Sequence, residues 1–162
     1  MKLFIADDEM DVREGIRCLL DWQALGFTIC GEGKNGEDTL EKILRFEPDV
    51  VLIDIRMPRI SGLEVIKRAR ENNFHGRFII LSGYSDFAYA QEAIHYGVTN
   101  YLTKPIDEDD LKKAVLSAKA DAEAEQAKTA VLTHYKDRAR DSILREIIMG
   151  QPDAPLPDAK EL

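Results

Sequence analysis

Val50-Val51-Leu52-Ile53-Asp54-Ile55-Arg56-Met57-Pro58 runs through four apolar residues and then turns to a carboxylate. A short continuous apolar run has no face to give to water, so it reads as a strand covered on both sides, at the centre of a parallel sheet. Two more runs of this kind, residues 3–6 and 78–81, lie before and after it. Residues 28–32 are more polar and carry glycines, and residues 100–102 are short and stopped by Pro105. These two read as edge strands.

Between the runs lie segments with apolar residues at helical spacing, over residues 12–22, 36–46, 63–71 and 87–96 and from 111 onwards. Start signals precede three of them: Asn35 before the second, a Ser61-x-x-Glu64 capping box before the third, and Asp107-x-x-Asp110 before the fifth. Gly97 fits the stop of the fourth. Strand and helix alternate five times, which predicts an α/β doubly wound parallel sheet. Three buried strands, two edges and right-handed crossovers give the expected order 2-1-3-4-5, with the first and third strands meeting at the switch point.

That order gathers several strand ends at one edge. Asp7 and Asp8 follow the first strand, Asp54 the third, Ser82 the fourth and Lys104 the fifth, all at the carboxyl edge where open α/β sheets place their chemistry. A single Asp after a strand is ordinarily a turn former or a helix cap. Correlated positions after four strands point to a site. Three carboxylates held together repel one another and call for a cation, and an all-oxygen set suits Mg²⁺. Lys104 adds a point charge of the sort that pairs with a phosphoryl oxygen. In such surroundings a carboxylate can attack phosphorus and carry an acyl phosphate. Asp54, on the central strand, is the candidate nucleophile, with Asp7 and Asp8 as a metal-holding pair and the Ser82 hydroxyl facing the same crevice.

The bulk properties narrow the function classes. The 162 residues, 44% of them hydrophobic, suffice for one domain and an appendage. A formal net charge of -8 argues against binding to a phosphate backbone, so this chain alone is not expected to bind nucleic acid. Cys18 and Cys30 lie in apolar patterns and read as reduced packing residues, not a disulfide. Leu3-Phe4-Ile5-Ala6 is too short for a signal-peptide core or a membrane span, which makes a cytoplasmic protein without membrane contact the expectation. His75, His95 and His134 read as surface residues, and Tyr84, Tyr89 and Tyr96 as packing or partner-surface residues.

Past Leu116 the sequence becomes alanine-rich, and no Gly or Pro intervenes before Gly150. The fifth helix is therefore expected to extend C-terminally, from about Asp107 to Met149, over roughly 60 Å. Leu111, Val115, Ala118 and Ala122 follow a 4-3-4 spacing that Glu125 and Thr129 interrupt, so the coiled-coil signal is weak. The expected division is a domain over residues 1–121, a helical linker and candidate dimerisation helix over 122–149, and an irregular, proline-containing tail over 150–162.

Asp7-Asp8, residues 52–58, Leu81-Ser82-Gly83-Tyr84 and Tyr101-Leu102-Thr103-Lys104-Pro105 closely resemble the receiver domain of bacterial two-component response regulators, over residues 1 to about 121. The resemblance implies a flavodoxin-like (βα)5 fold and an Asp54 that accepts a phosphoryl group from the histidine of a sensor histidine kinase. It implies Mg²⁺ bound by Asp8, Asp54 and the backbone carbonyl of Arg56, with Asp7 acting through water. Lys104 and Ser82 would bind the phosphoryl group, Ser82 and Tyr101 would form a switch pair, and Pro105 would follow a cis peptide bond. The fourth helix, fifth strand and fifth helix would form the partner surface, a candidate homodimer face. Ser82 stands where Thr is more frequent and Ser61 where Asp is frequent; both keep a hydroxyl or a capping oxygen. Arg56 and Tyr84, each two residues past a site residue, are expected to screen the acyl phosphate from water.

Asp11-Val12-Arg13-Glu14-Gly15-Ile16, Asp21-Trp22, Gly26-Phe27 and residues 81–90 further resemble the subgroup whose receivers precede an AraC-type DNA-binding domain. That domain's helix-turn-helix motifs are not visible, so the expectation is a piece of a longer regulator or a truncated gene product. DNA binding would belong to the missing domain of the parent. Two rivals remain at this stage. An Asp-nucleophile phosphohydrolase ordinarily places a second Asp two residues after the nucleophile as acid/base, where this chain has Arg56. A dimerisation module would make the long helix the working part and the receiver its scaffold.

Overall fold

The computed structural model describes residues 1–83, 87–98 and 100–148. In chain order these form β1 (Lys2–Ala6), α1 (Met10–Leu19), β2 (Thr28–Gly33), α2 (Gly36–Phe46), β3 (Val50–Asp54), α3 (Gly62–Glu71), β4 (Arg77–Ser82), α4 (Phe87–Ile94), β5 (Asn100–Thr103) and α5 (Glu108–Ile148). The strands pair in parallel in the order β2-β1-β3-β4-β5, the flavodoxin-like arrangement expected from the apolar runs. All of β3 is buried. Its side chains alternate between faces. Phe4, Val51, Ile53, Phe78 and Ile80 pack with Ile43 of α2 and Val65, Ile66 and Ala69 of α3. Leu3, Ile5, Val50, Leu52, Ile79 and Leu81 pack with Ile16 of α1 and with Leu111, Ala114, Val115 and Ala118 of α5. A helical layer on each face explains why the central strands carry no polar side.

The caps act as their sequences predict. Asn35 Oδ1 accepts from the Asp38 amide at 2.8 Å, Ser61 Oγ from Glu64 at 3.2 Å, and Asp107 Oδ2 from Asp110 at 3.1 Å. Glu64, expected to complete a box with Ser61, instead pairs with Arg68 one turn on, at 3.0 Å. Gly97 ends the α4 region with φ +79, a backbone conformation that costs glycine no Cβ clash.

Three expectations need correction. α1 stops at Leu19 and does not continue to Trp22: Leu20 is extended, and the Trp22 indole N–H turns back to donate to the Ile16 carbonyl at 3.1 Å, one of the acceptors the helix end leaves open. α4 ends at Ile94 and not at Tyr96, whose carbonyl accepts from Arg70 Nε at 2.9 Å. Cys18 is exposed on α1 and Cys30 partly buried, both as free thiols, so Cys18 is no packing residue. The 4-3-4 stripe of Leu111, Val115, Ala118 and Ala122 is buried within the first compact unit, in keeping with its weak coiled-coil signal.

The chain divides into two compact units, Met1–Ala122 and Glu123–Leu162. The first holds the sheet. In the second, α5 exposes Val131 and Leu132. Tyr84, Met149 and the 150–162 tail lie outside the described residues. His75, His95 and His134 are exposed. No helix among the described residues is long and apolar enough to cross a membrane.

Candidate functional site

The parallel register levels the ends of the inner strands, pairing Ala6 with Ile53, Asp54 with Leu81 and Ser82 with Thr103. The side chains just beyond therefore converge. Asp7, Asp8 and Asp54 each bring a carboxylate oxygen within 4.8 Å of the others, and Lys104 Nζ reaches Asp7 Oδ2 at 2.8 Å and Asp54 Oδ2 at 3.2 Å. Lys104 is held by its own backbone as well, its amide donating to the Ser82 carbonyl at 2.8 Å. The Lys104–Pro105 peptide is cis.

The three acids are not equivalent. Asp7 is fully buried; its Oδ1 accepts from the Glu9 amide at 2.9 Å while Oδ2 takes the lysine. Asp8 is exposed. Asp54 is 6% exposed, with Oδ1 accepting from the Arg56 amide at 3.4 Å. Burial first, and the Asp7 charge second, push the Asp54 carboxyl up to about 6 against the pull of Lys104. For Lys104, burial works to lower the pKa; the hydrogen bond to Asp7 and the charges of Asp54 and Asp7 outweigh it and hold the ammonium above its usual range.

Ser82 Oγ is buried and donates to the Tyr101 hydroxyl at 2.5 Å. The two residues singled out as a pair are thus in direct contact. On the other side of Asp54, α3 comes close: the Gly62 amide donates to the Ile55 carbonyl at 2.7 Å, and a Cβ at Gly62 would stand 2.0 Å from the Asp54 carbonyl oxygen. Glycine is what lets the helix start there. A cavity of about 500 Å³ opens beside the cluster, lined by Asp8, Ile55, Arg56, Met57, Pro58, Ser61 and Tyr89.

Arg13 is the contributor that the sequence reading left without a role. Its Nη1 donates to the Asp7 carbonyl at 2.6 Å, and its Nε stands 4.0 Å from Glu32, which Arg17 approaches at 2.8 Å. An Arg six residues past the acid, on the first turn of the following helix, is a signal available in sequence. Its target, a backbone carbonyl, is not.

The sequence matches the response regulator receiver domain family over residues 3–116. The chain belongs to that family. The receiver is 35% identical over 156 residues, 92% of its length, to YesN of Bacillus subtilis, described as an uncharacterized transcriptional regulatory protein. It is 35% identical over 111 residues to the transcriptional regulatory protein HptR of Staphylococcus aureus. It spans 42% and 43% of those two proteins. Among solved structures, it is similar to the REC domain of AraT, a response regulator of Geobacillus stearothermophilus, with TM-score 0.73 and 42% identity over 77% of this chain and 97% of that one. A two-component transcriptional regulator AraC of Clostridium phytofermentans gives TM-score 0.73 and 31% identity, covering 78% and 98%. A receiver domain is a signalling module and not an enzyme, which removes the phosphohydrolase alternative.

Proposed function

We propose that this receiver accepts a phosphoryl group on Asp54 from the histidine of a sensor histidine kinase. The change then passes through Ser82 and Tyr101 to the surface of α4, β5 and α5 and to the helix beyond, controlling a transcription-regulating output domain of a longer cytoplasmic parent. The observation that carries the reading is the Lys104 ammonium set between Asp7 and Asp54, with Asp54 buried and its carboxyl raised. A carboxylate kept from water and close to a fixed cation is poised to attack and to be neutralised once it carries charge on phosphorus.

The donor set fits a hard divalent cation, because the clustered ligands are all carboxylate oxygens. In this reading Asp8, Asp54 and the carbonyl of Arg56 hold Mg²⁺, and Asp7 acts through water. The exposure of Asp8 and the prior engagement of both Asp7 oxygens support that division. When bound, Mg²⁺ supplies positive charge against the phosphoryl oxygens. Lys104 turns part of its hydrogen bonding from Asp54 to the phosphoryl group, Ser82 redirects its hydroxyl from Tyr101 to a phosphoryl oxygen, and Tyr101 is released to rotate inward.

Residues 1–121 act as the receiver, 122–149 as a linker and candidate dimerisation helix, and 150–162 lead towards the output region. DNA contact is assigned to that region and not to these residues. Mass spectrometry after incubation with a small phosphoryl donor and Mg²⁺ tests the acceptor. The native chain is expected to gain one phosphoryl group and Asp54→Ala none; equal uptake by both would sink the assignment.

A further inference from the structure

We propose that Arg13 is a positioning residue for the metal site: through the Asp7 carbonyl it fixes the peptide that aims the Asp8 carboxylate into the acid cluster. The inference rests on Asp8 being a Mg²⁺ ligand. Asp8 differs from the other two acids. Asp7 and Asp54 are buried, and each accepts from Lys104 and from a backbone amide. Asp8 is exposed, and its carboxylate accepts no hydrogen bond among the described residues. One of its oxygens nevertheless lies within 4.8 Å of theirs. Its place in the cluster is therefore set by the backbone that carries it.

Peptide units are planar, so a residue keeps its direction when the units on its two sides are both held. After Asp8, the Glu9 amide donates to Asp7 Oδ1 at 2.9 Å. Before it, the Asp7 carbonyl accepts from Arg13 Nη1 at 2.6 Å, and the Asp7 amide donates to the Gly33 carbonyl of β2 at 3.1 Å. Arg13 is in turn placed by its own helix, its amide donating to the Glu9 carbonyl at 3.2 Å. The guanidinium also passes by a carboxylate. Its Nε is buried without a hydrogen-bond partner among the described residues, 4.0 Å from Glu32, which Arg17 approaches at 2.8 Å. An arginine that served only to staple α1 to β2 would close on Glu32, because a carboxylate is the stronger partner and a buried N–H left unpaired is costly. Arg13 instead directs its short bond to the peptide next to Asp8.

Titration with Mg²⁺ alone, followed by ¹H–¹⁵N NMR, measures metal affinity in the native chain, Arg13→Met, Arg13→Lys and Asp8→Asn. The ¹³C shift of the Asp7 carbonyl, read without metal, reports the Arg13 bond, and urea titrations fix conditions in which all four chains are folded. Arg13→Met keeps the apolar stem and deletes the donor. By charge alone, losing a cation beside three acids would tighten Mg²⁺ binding. The expected result has the opposite sign: a moved Asp7 carbonyl and about tenfold weaker binding, the lower end of what losing an outer-shell partner costs a metal site. Arg13→Lys restores a donor and the charge, and is expected to bind within about threefold of the native chain. An Asp7 carbonyl unmoved by Arg13→Met, Mg²⁺ bound by that variant as tightly as by the native chain or more so, or an Arg13→Lys as weak as Arg13→Met would overturn the inference while leaving Asp8 as a ligand. A native affinity unchanged by Asp8→Asn would overturn the metal assignment and the inference with it.

Discussion

Asp54 carries opposing demands. As the proposed acceptor it must be ionised to attack, yet burial and Asp7 push its carboxyl up to about 6. Between about pH 4 and 6 the folded chain therefore keeps a proton that the unfolded chain gives up, so this group's contribution to stability declines as pH rises through that interval. Replacing it with Asn removes the decline. Asp54→Asn is expected to unfold at higher denaturant than the native chain at pH 7, by about 1–3 kcal/mol, with the gap closing by pH 4. Urea titrations of both chains at the two pH values, without divalent cation, measure it. Lys104→Ala removes a cation that stabilises the ionised form, so a ¹³C carboxyl titration should place Asp54 higher in the variant than in the native chain. The acid cluster was legible in the sequence because each member follows its own strand, and strand order alone brings them together. Arg13 was not, because its place depends on which way a helical side chain points and on a backbone carbonyl that no residue letter records.

Elements show the same division between local and tertiary causes. Asn35, Ser61 and Asp107 cap their helices through bonds three residues long, so pattern suffices to find them. The end of α1 is different: Val12, Ile16 and Leu19 continue an apolar stripe to Trp22, but Trp22 leaves the helix to meet the Ile16 carbonyl and pack edge-on to Phe27, with ring centroids 6.0 Å apart. Packing against Phe27, the residue just before β2, overrode helical periodicity. Trp22→Phe keeps much of the ring and deletes the N–H, and is expected to cost about 1–3 kcal/mol for a buried acceptor left unpaired. Thermal unfolding followed by far-ultraviolet circular dichroism measures this without relying on indole fluorescence. Gly62→Ala sets a Cβ against the Asp54 carbonyl, so α3 must shift away from β3. A loss of about 1–3 kcal/mol is expected, together with slower phosphoryl uptake, because the displaced backbone carries Asp54 itself.

At the scale of the whole molecule, α5 contains two kinds of sequence within one helix. Up to Ala122 it buries Leu111, Ala114, Val115, Ala118 and Ala122, with Leu116 left exposed; beyond, Val131 and Leu132 are exposed at 69% and 60%. The 4-3-4 spacing alone could not distinguish a stripe laid on a sheet from one laid on a second helix, since both need the same face of the helix. A chain ended after Ala122 retains every buried residue of α5 among the described ones, so it is expected to melt within a few degrees of the full chain and to take phosphoryl at the same rate. Light scattering on both chains, with and without a phosphoryl mimic, then locates the dimer contact. If phosphorylation acts through the surface of α4, β5 and α5, both chains double in mass when the mimic is bound. If it acts through the helix beyond Ala122, the full chain alone does so. A mass unchanged in both would remove dimerisation from the output of this receiver.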